Sequence, residues 1–375
     1  MSMTGPAAVL LLRAHTGSSA PGAILTAAGG LSGAAGGPLW GRLVDRKGAG
    51  LPLILTGLLQ GLCLMGIVIT ARHGAVALPV ALGIIGGAAT PPVTPTLRRW
   101  LGTLPVEMHA TAMGMEAVSI EAVFLIGPSL VGLTVAVAGP SVALLVAAGA
   151  VAVGGVAVAV LGRTPVTPPR SRGTPHAADT GSLLRLRALR AVIGAEFLQV
   201  AAFAVTEVAI VTAAARDGRA ALGGIILAVW ACSSGIGGLL TTSLWRRPTA
   251  GQRFVIASAC MAAGLLLLSA SSNPLLLLGL VIPAGLAIAP ANAAGAAILA
   301  SAVPAERQAE AFAWGSAMAA PGGAAIGYAA GGGLVQAAPL AVSTLTAGAL
   351  ASIAAVIAVG YRRSYPQPGA GGSTP

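Results

Sequence analysis

Eleven apolar runs of 18 to 29 residues follow one another with only short polar interruptions, at about 20–40, 51–71, 75–97, 110–136, 140–162, 190–214, 220–244, 254–271, 274–302, 309–335 and 339–361. About 20 apolar residues in helical form cross the ~30 Å hydrocarbon layer of a bilayer, so this spacing commits the chain to a multi-pass membrane protein. Charged residues make up only 8%, too few to coat a water-facing globule, where about 25% is usual. Backbone groups in hydrocarbon must be bonded internally, which leaves helix bundles or closed barrels, and continuous runs rather than ten-residue alternation choose helices. The expected fold class is all-α. With 53 Gly in the chain, its helices are expected to associate by close backbone approach.

A shorter apolar stretch, Met3 to Leu12, precedes these runs; at 1.5 Å per residue its ten residues reach about 15 Å, half the hydrocarbon thickness. Read as the outer half of a first helix, it completes twelve spans in two groups of six. The expected organisation is a six-helix half at 1–162, a linker at 163–190, a second half at 191–361 and a tail at 362–375. The linker, RTPVTPPRSRGTPHAADTGSLLRLRALR, is Pro-rich and basic and breaks the spacing of the runs. Two spans and their connection need about 45 residues or more, yet 40 precede Gly41, so the first helix is expected to be truncated here and to continue upstream.

The net charge of +11 follows topology rather than nucleic-acid binding. Counting Lys and Arg by loop gives 17 on the side of residues 41–50, the linker and the tail, against 4 on the other, which places the former in the cytoplasm. Cys63, Cys232 and Cys260 lie singly in apolar runs and are expected to be small core residues rather than metal ligands or disulfide partners. His15, His73, His109 and His176 sit in loops or at span ends without a catalytic or metal-binding pattern, and no phosphate loop is present. No cofactor, metal or enzymatic activity is expected.

Between the second and third spans stands the charge-dense segment GRLVDRKGAG, Gly41 to Gly50. Gly41, Asp45, Arg46 and Gly48 resemble the loop between the second and third helices of the major facilitator superfamily of secondary transporters, although Ala49 and Gly50 replace the basic residues that usually follow. The resemblance implies a bundle of two six-helix halves around a midplane cavity. It also implies a cytoplasmic latch in which the Asp sits near a helix N-terminus and holds the inner side shut, where a carboxylate gains about 0.3 to 1 kcal/mol from the helix dipole. Gly41 and Gly48 would allow close approach and a tight turn. IGPSLVG, with Gly127, Pro128 and Gly132, resembles the family's fifth-helix motif associated with antiporters. PPVTPTLRRW (91–100) and ERQAEAFAW (306–314) are similar to a bacterial branch with mostly unassigned substrates. The intramembrane Arg that many proton-coupled members carry in the fourth helix is missing, since Arg98 and Arg99 fall at the cytoplasmic end of that run.

A six-plus-six plan also predicts a weak internal repeat. LWRRPTAGQRF (244–254) stands where the second half repeats the motif loop, without the Asp, and PGGAAIGYAAGGG (321–333) answers IGPSLVG.

Four acidic residues fall inside runs: Glu116 and Glu121 in the fifth span, Glu196 and Glu207 in the seventh. A charge at the centre of a membrane helix costs about 2.5 to 3.5 kcal/mol on insertion scales, so such carboxyls face a cavity, a partner or water and often carry protons. At 100° per residue, Gly114, Ala117, Glu121, Pro128 and Gly132 share one stripe, and Glu196, Gln199, Phe203 and Glu207 share another. Glu121 and Glu207 lie near mid-span, Glu116 and Glu196 nearer the inner interface. All four are proton-coupling or cavity candidates, each with a structural hydrogen-bonding role as its alternative. Gln199 and Asn292 are candidates for lining a substrate cavity; for Asn292, in a tenth span that also holds Pro283 and Pro290, bridging of helices is the alternative.

The resemblance implies secondary active transport by alternating access. The preferred expectation is efflux of a small organic compound in exchange for protons, by a monomer in the bacterial cell membrane with a cytoplasmic C-terminus. The alternatives are symport of a sugar or other metabolite, and a non-transporting sensor or membrane enzyme built on the same bundle.

Overall fold

The computed structural model describes residues 3–73, 76–93, 96–97, 100, 119, 123, 126–127, 129–162, 183, 185–244, 248–303 and 308–365. Among them every extended regular element is a helix: α1 (Thr4–Thr16), α2 (Ala20–Lys47), α3 (Gly50–Ala71), α4 (Ala77–Ala88), α5 (Ser129–Ala138), α6 (Pro140–Leu161), α7 (Arg187–Arg216), α8 (Ala220–Leu244), α9 (Ala250–Leu267), α10 (Pro274–Leu286), α11 (Ile288–Ser301), α12 (Gln308–Ala337) and α13 (Leu340–Gly360). Seven spans among the described residues are long and apolar enough to cross a membrane, α10 and α11 counting as one. At 13 residues α1 is about 20 Å long, shorter than the hydrocarbon.

Local chemistry sets the helix ends. Gly48, at φ +81°, closes α2 with its N–H on the Val44 carbonyl (2.9 Å), a conformation that a Cβ would strain. Thr249 and Gln252 form a reciprocal capping box at the start of α9. Asn273 caps α10 through the Leu275 N–H, with Pro274 at the first helical position.

The chain divides into two compact units, Met1–His176 and Ala177–Pro375. In the first, α1 packs on α2 and α6, α2 on α4, and α3 on α4 and α6. In the second, α7 packs on α8 and α13, α8 on the α10–α11 pair, and α9 on that pair and α13. Counted within each unit, the first helix meets the second and sixth, the second meets the fourth, and the third meets the fourth and sixth. The internal repeat is therefore a repeat of packing partners. Glycine maintains it where sequence similarity does not: Gly22 of α2 lies against the Val9 backbone of α1, and Gly223 of α8 lies against the Val211 backbone of α7.

Two apolar runs are broken rather than continuous. The expected span 75–97 is interrupted after Ala88 and is helical again at Val93, Thr96 and Leu97, because Pro91 and Pro92 remove backbone donors and bias Thr90 away from helical geometry. The run 274–302 is split at Ala287 between Pro283 and Pro290. Among the cysteines only Cys63 is buried; Cys232 and Cys260 are exposed, correcting the expectation of three core residues. An apolar helix needs no inward face when its surroundings are lipid, so a small apolar residue can stand on either side.

Candidate functional site

The Ala-rich helix α7 is the most buried of the candidate spans. It begins three residues before the run expected from hydropathy and continues for 30 residues, about 45 Å, well beyond the hydrocarbon thickness. Glu196 and Glu207 each stand nine residues from an end, so each lies about 8 Å from the helix midpoint. Glu196 and Glu207 thus stand symmetrically about the middle of α7.

Glu207 has a specific partner: the Tyr328 hydroxyl of α12 donates to its Oε1 at 2.5 Å, and both residues are partly exposed. The approach of α12 to α7 creates this pair. Gly323, Gly327 and Gly331, one turn apart, face Phe197, Ala201, Ala204 and Val205, and the backbones meet with no room for a Cβ at Gly327. Tyr328, next to Gly327, is thereby carried to the edge of the seam where Glu207 emerges. This seam occupies the PGGAAIGYAAGGG stretch. Tyr328 escaped the sequence reading, although a lone Tyr among glycines of an apolar run is itself a polar group needing a partner.

The remainder of the α7 stripe fans out over different neighbours. Glu196, partly exposed, lies beside α11, where a Cβ on Gly295 would stand 2.7 Å from its Oε1. Phe203 meets Trp230 of α8 edge to face, ring centroids 5.4 Å apart. Gln199 is only 2% exposed and donates through Nε2 to Ser258 Oγ of α9 at 3.0 Å. In this arrangement the Gln199 side chain bridges α7 and α9. Asn292 is exposed on α11, so it is not a buried bridge.

In the first unit, Gly41 to Lys47 belong to the end of α2 rather than to a loop. Gly41 has no atom near its Cβ direction, so the expected close approach is not made within the described residues, whereas the turn expected of Gly48 is present. Arg46 is exposed. The Asp45 side chain, Glu116, Glu121 and Pro128 lie outside the described residues; Gly127 and Gly132 are helical and buried. No cluster of metal-ligating side chains is present among the described residues.

Residues 1–269 match the sequence pattern of the Major Facilitator Superfamily. The chain belongs to this family. Across nearly its whole length this superfamily member superposes on the crystal structure of the nucleoside transporter NupG. A point mutant of that transporter aligns with a TM-score of 0.73 at 13% identity, covering 96% of each chain. A second NupG structure aligns at 0.71 and 14%, covering 97% of this chain and 94% of that one. No curated protein matches at the sequence level. The chain is a multi-pass membrane protein with the fold of a secondary transporter, not an enzyme.

Proposed function

We propose that the protein exports a small organic compound in exchange for protons, by alternating access. The observation that carries this reading is the Glu207–Tyr328 pair, a carboxyl deep in a membrane helix, partly exposed and held by one hydroxyl from a neighbouring helix. Such a group is costly to maintain unless it serves an ion or proton path. Glu207 carries the coupled proton in this scheme and Tyr328 orients its carboxyl, with Glu121 as the alternative carrier and Glu196 and Glu116 as further acids of the pathway. One proton moving down 100 mV supplies about 2.3 kcal/mol, enough for a roughly 50-fold solute gradient. Asp45 acts as the cytoplasmic latch. Residues 163–190 link the halves, and the C-terminus is cytoplasmic in a bacterial cell membrane.

The test is transport by the purified protein in vesicles, over a panel of solutes, with and without a pH gradient. Glu207→Gln is expected to abolish pH-driven accumulation while sparing counterflow exchange, which needs no net proton movement. Full pH dependence in both Glu207→Gln and Glu121→Gln would overturn the assignment. A second reading, proton-linked uptake of a nucleoside-like metabolite, draws on the likeness to the nucleoside transporter NupG, and the sign of the pH-driven flux separates the two.

A further inference from the structure

The broken fourth span holds a contact that no motif announced. In a continuous helix the Ala88 carbonyl accepts from the N–H four residues on, but that residue is Pro92, which has none. The donor comes instead from another helix: Trp40 Nε1 of α2 donates to the Ala88 oxygen at 2.7 Å. The Gly87 carbonyl, deprived in the same way by Pro91, is satisfied by Thr90 through both its N–H (3.0 Å) and its hydroxyl (2.7 Å). Gly36, one turn before Trp40, lets α2 approach the Ala88 backbone, and Gly33 does the same at Gly87. Trp40 is also the residue directly before Gly41, and the same unbroken helix runs on through Asp45 to Lys47.

We infer that Trp40 is a positioning residue for transport: its indole N–H fastens the latch-bearing end of α2 to the proline break of the fourth span, so that a change at the latch is transmitted to that break. The inference rests on the latch reading of Asp45. A bond from a side chain to a proline-orphaned carbonyl is a suitable transmitter because it is directional and has no backbone substitute nearby. Breaking it leaves the Ala88 carbonyl without its donor.

Amide hydrogen exchange of the full chain in lipid nanodiscs tests this without a known solute. Trp40→Phe keeps an aromatic ring but removes the donor. It should speed exchange at 89–93, read at the Ala89, Thr90 and Val93 amides, about tenfold relative to the unaltered protein, with α3 and α6 unchanged. Pro92→Ala restores an N–H four residues after Ala88, so Trp40→Phe made in that background should have little effect, a rescue that a bulk packing role for the ring would not give. Asp45→Asn should also speed exchange at 89–93, and combined with Trp40→Phe should add little to either alone. Unchanged exchange at 89–93 in Trp40→Phe, or failure of the Pro92→Ala rescue, overturns the role of the indole. A normal Trp40→Phe effect with no response to Asp45→Asn, or simple additivity, overturns the transmission and counts against the latch while leaving the Glu207 assignment untouched.

Discussion

The α7–α12 seam makes a graded prediction, because the glycines of one helix face different amounts of space. A Cβ on Gly327 would stand 2.7 Å from Ala204 Cβ and 2.9 Å from Ala201 Cα, separations that require the helices to part. At Gly331 the nearest atom is 3.1 Å away, which a shift of a few tenths of an ångström relieves, and at Gly333 nothing lies within 4 Å. Gly to Ala in a helix gains about 1 kcal/mol from propensity alone, and overpacking costs about 1 to 3 kcal/mol. Gly333→Ala should therefore stabilise by about 1 kcal/mol, Gly331→Ala should change little, and Gly327→Ala should fall about 1 to 3 kcal/mol below Gly333→Ala. That gap is about 5- to 150-fold in the unfolding equilibrium. Unfolding titrations in mixed micelles measure it, with the purified variants compared at one lipid-to-detergent ratio. If Gly327→Ala proved as stable as Gly333→Ala, the seam would not be a backbone contact and the placement of Tyr328 beside Glu207 would lose its basis.

Tyr328→Phe leaves the Glu207 carboxyl without its hydroxyl partner and should reduce pH-driven flux in vesicles more than counterflow; equal losses in both would point to a folding defect. Asp45→Asn should lower transport strongly with equilibrium solute affinity within a few-fold, measured by binding to the same preparation. Gly48→Ala forces a side chain into φ +81° and should destabilise by about 1 to 2 kcal/mol, whereas Gly41→Ala, with open space, should not, as thermal melts of the two will show. Tyr365, 4% exposed against Phe254 beyond the last span, has its hydroxyl pushed up to about 12 by burial. Its folded form holds the proton longer than its unfolded form, so its contribution to stability is intact below pH 10 and is lost between about 10 and 12, a loss that Tyr365→Phe should remove from the pH profile of melting.

Hydropathy was enough to place most of the helices, because lipid penalises every unpaired backbone group and so ties apolar length to helix length. The run 220–244 matches α8 at both ends. It failed where proline acts within an apolar run, at Ala88 and Ala287, since one or two prolines barely lower the mean hydropathy of a long run while each removes a donor. The acidic residues of α7 were legible from their cost in hydrocarbon, but their partners were not. Nothing in a helical wheel says that Gln199 meets Ser258, 59 residues away, while Glu207 meets Tyr328 at 121. Those pairings depend on which helices adjoin α7, and that order is set by glycine seams whose register the sequence does not display.

The two proline breaks are alike in construction and unlike in reinforcement. Leu286 stands four residues before Pro290, as Ala88 stands four before Pro92, and its carbonyl also lies against a glycine of the preceding partner helix, Gly237 in place of Gly36. One turn beyond Gly237, however, Thr241 takes the place of Trp40, and its hydroxyl turns back to its own helix at the Gly237 oxygen (2.6 Å). Like two elbows of which only one is splinted, the joint at Ala88 must part from an indole before it can flex, while among the described residues the joint at Ala287 carries no such brace. The same proline joint is thus tied to its partner helix by an indole in one half and, among the described residues, by no such side chain in the other.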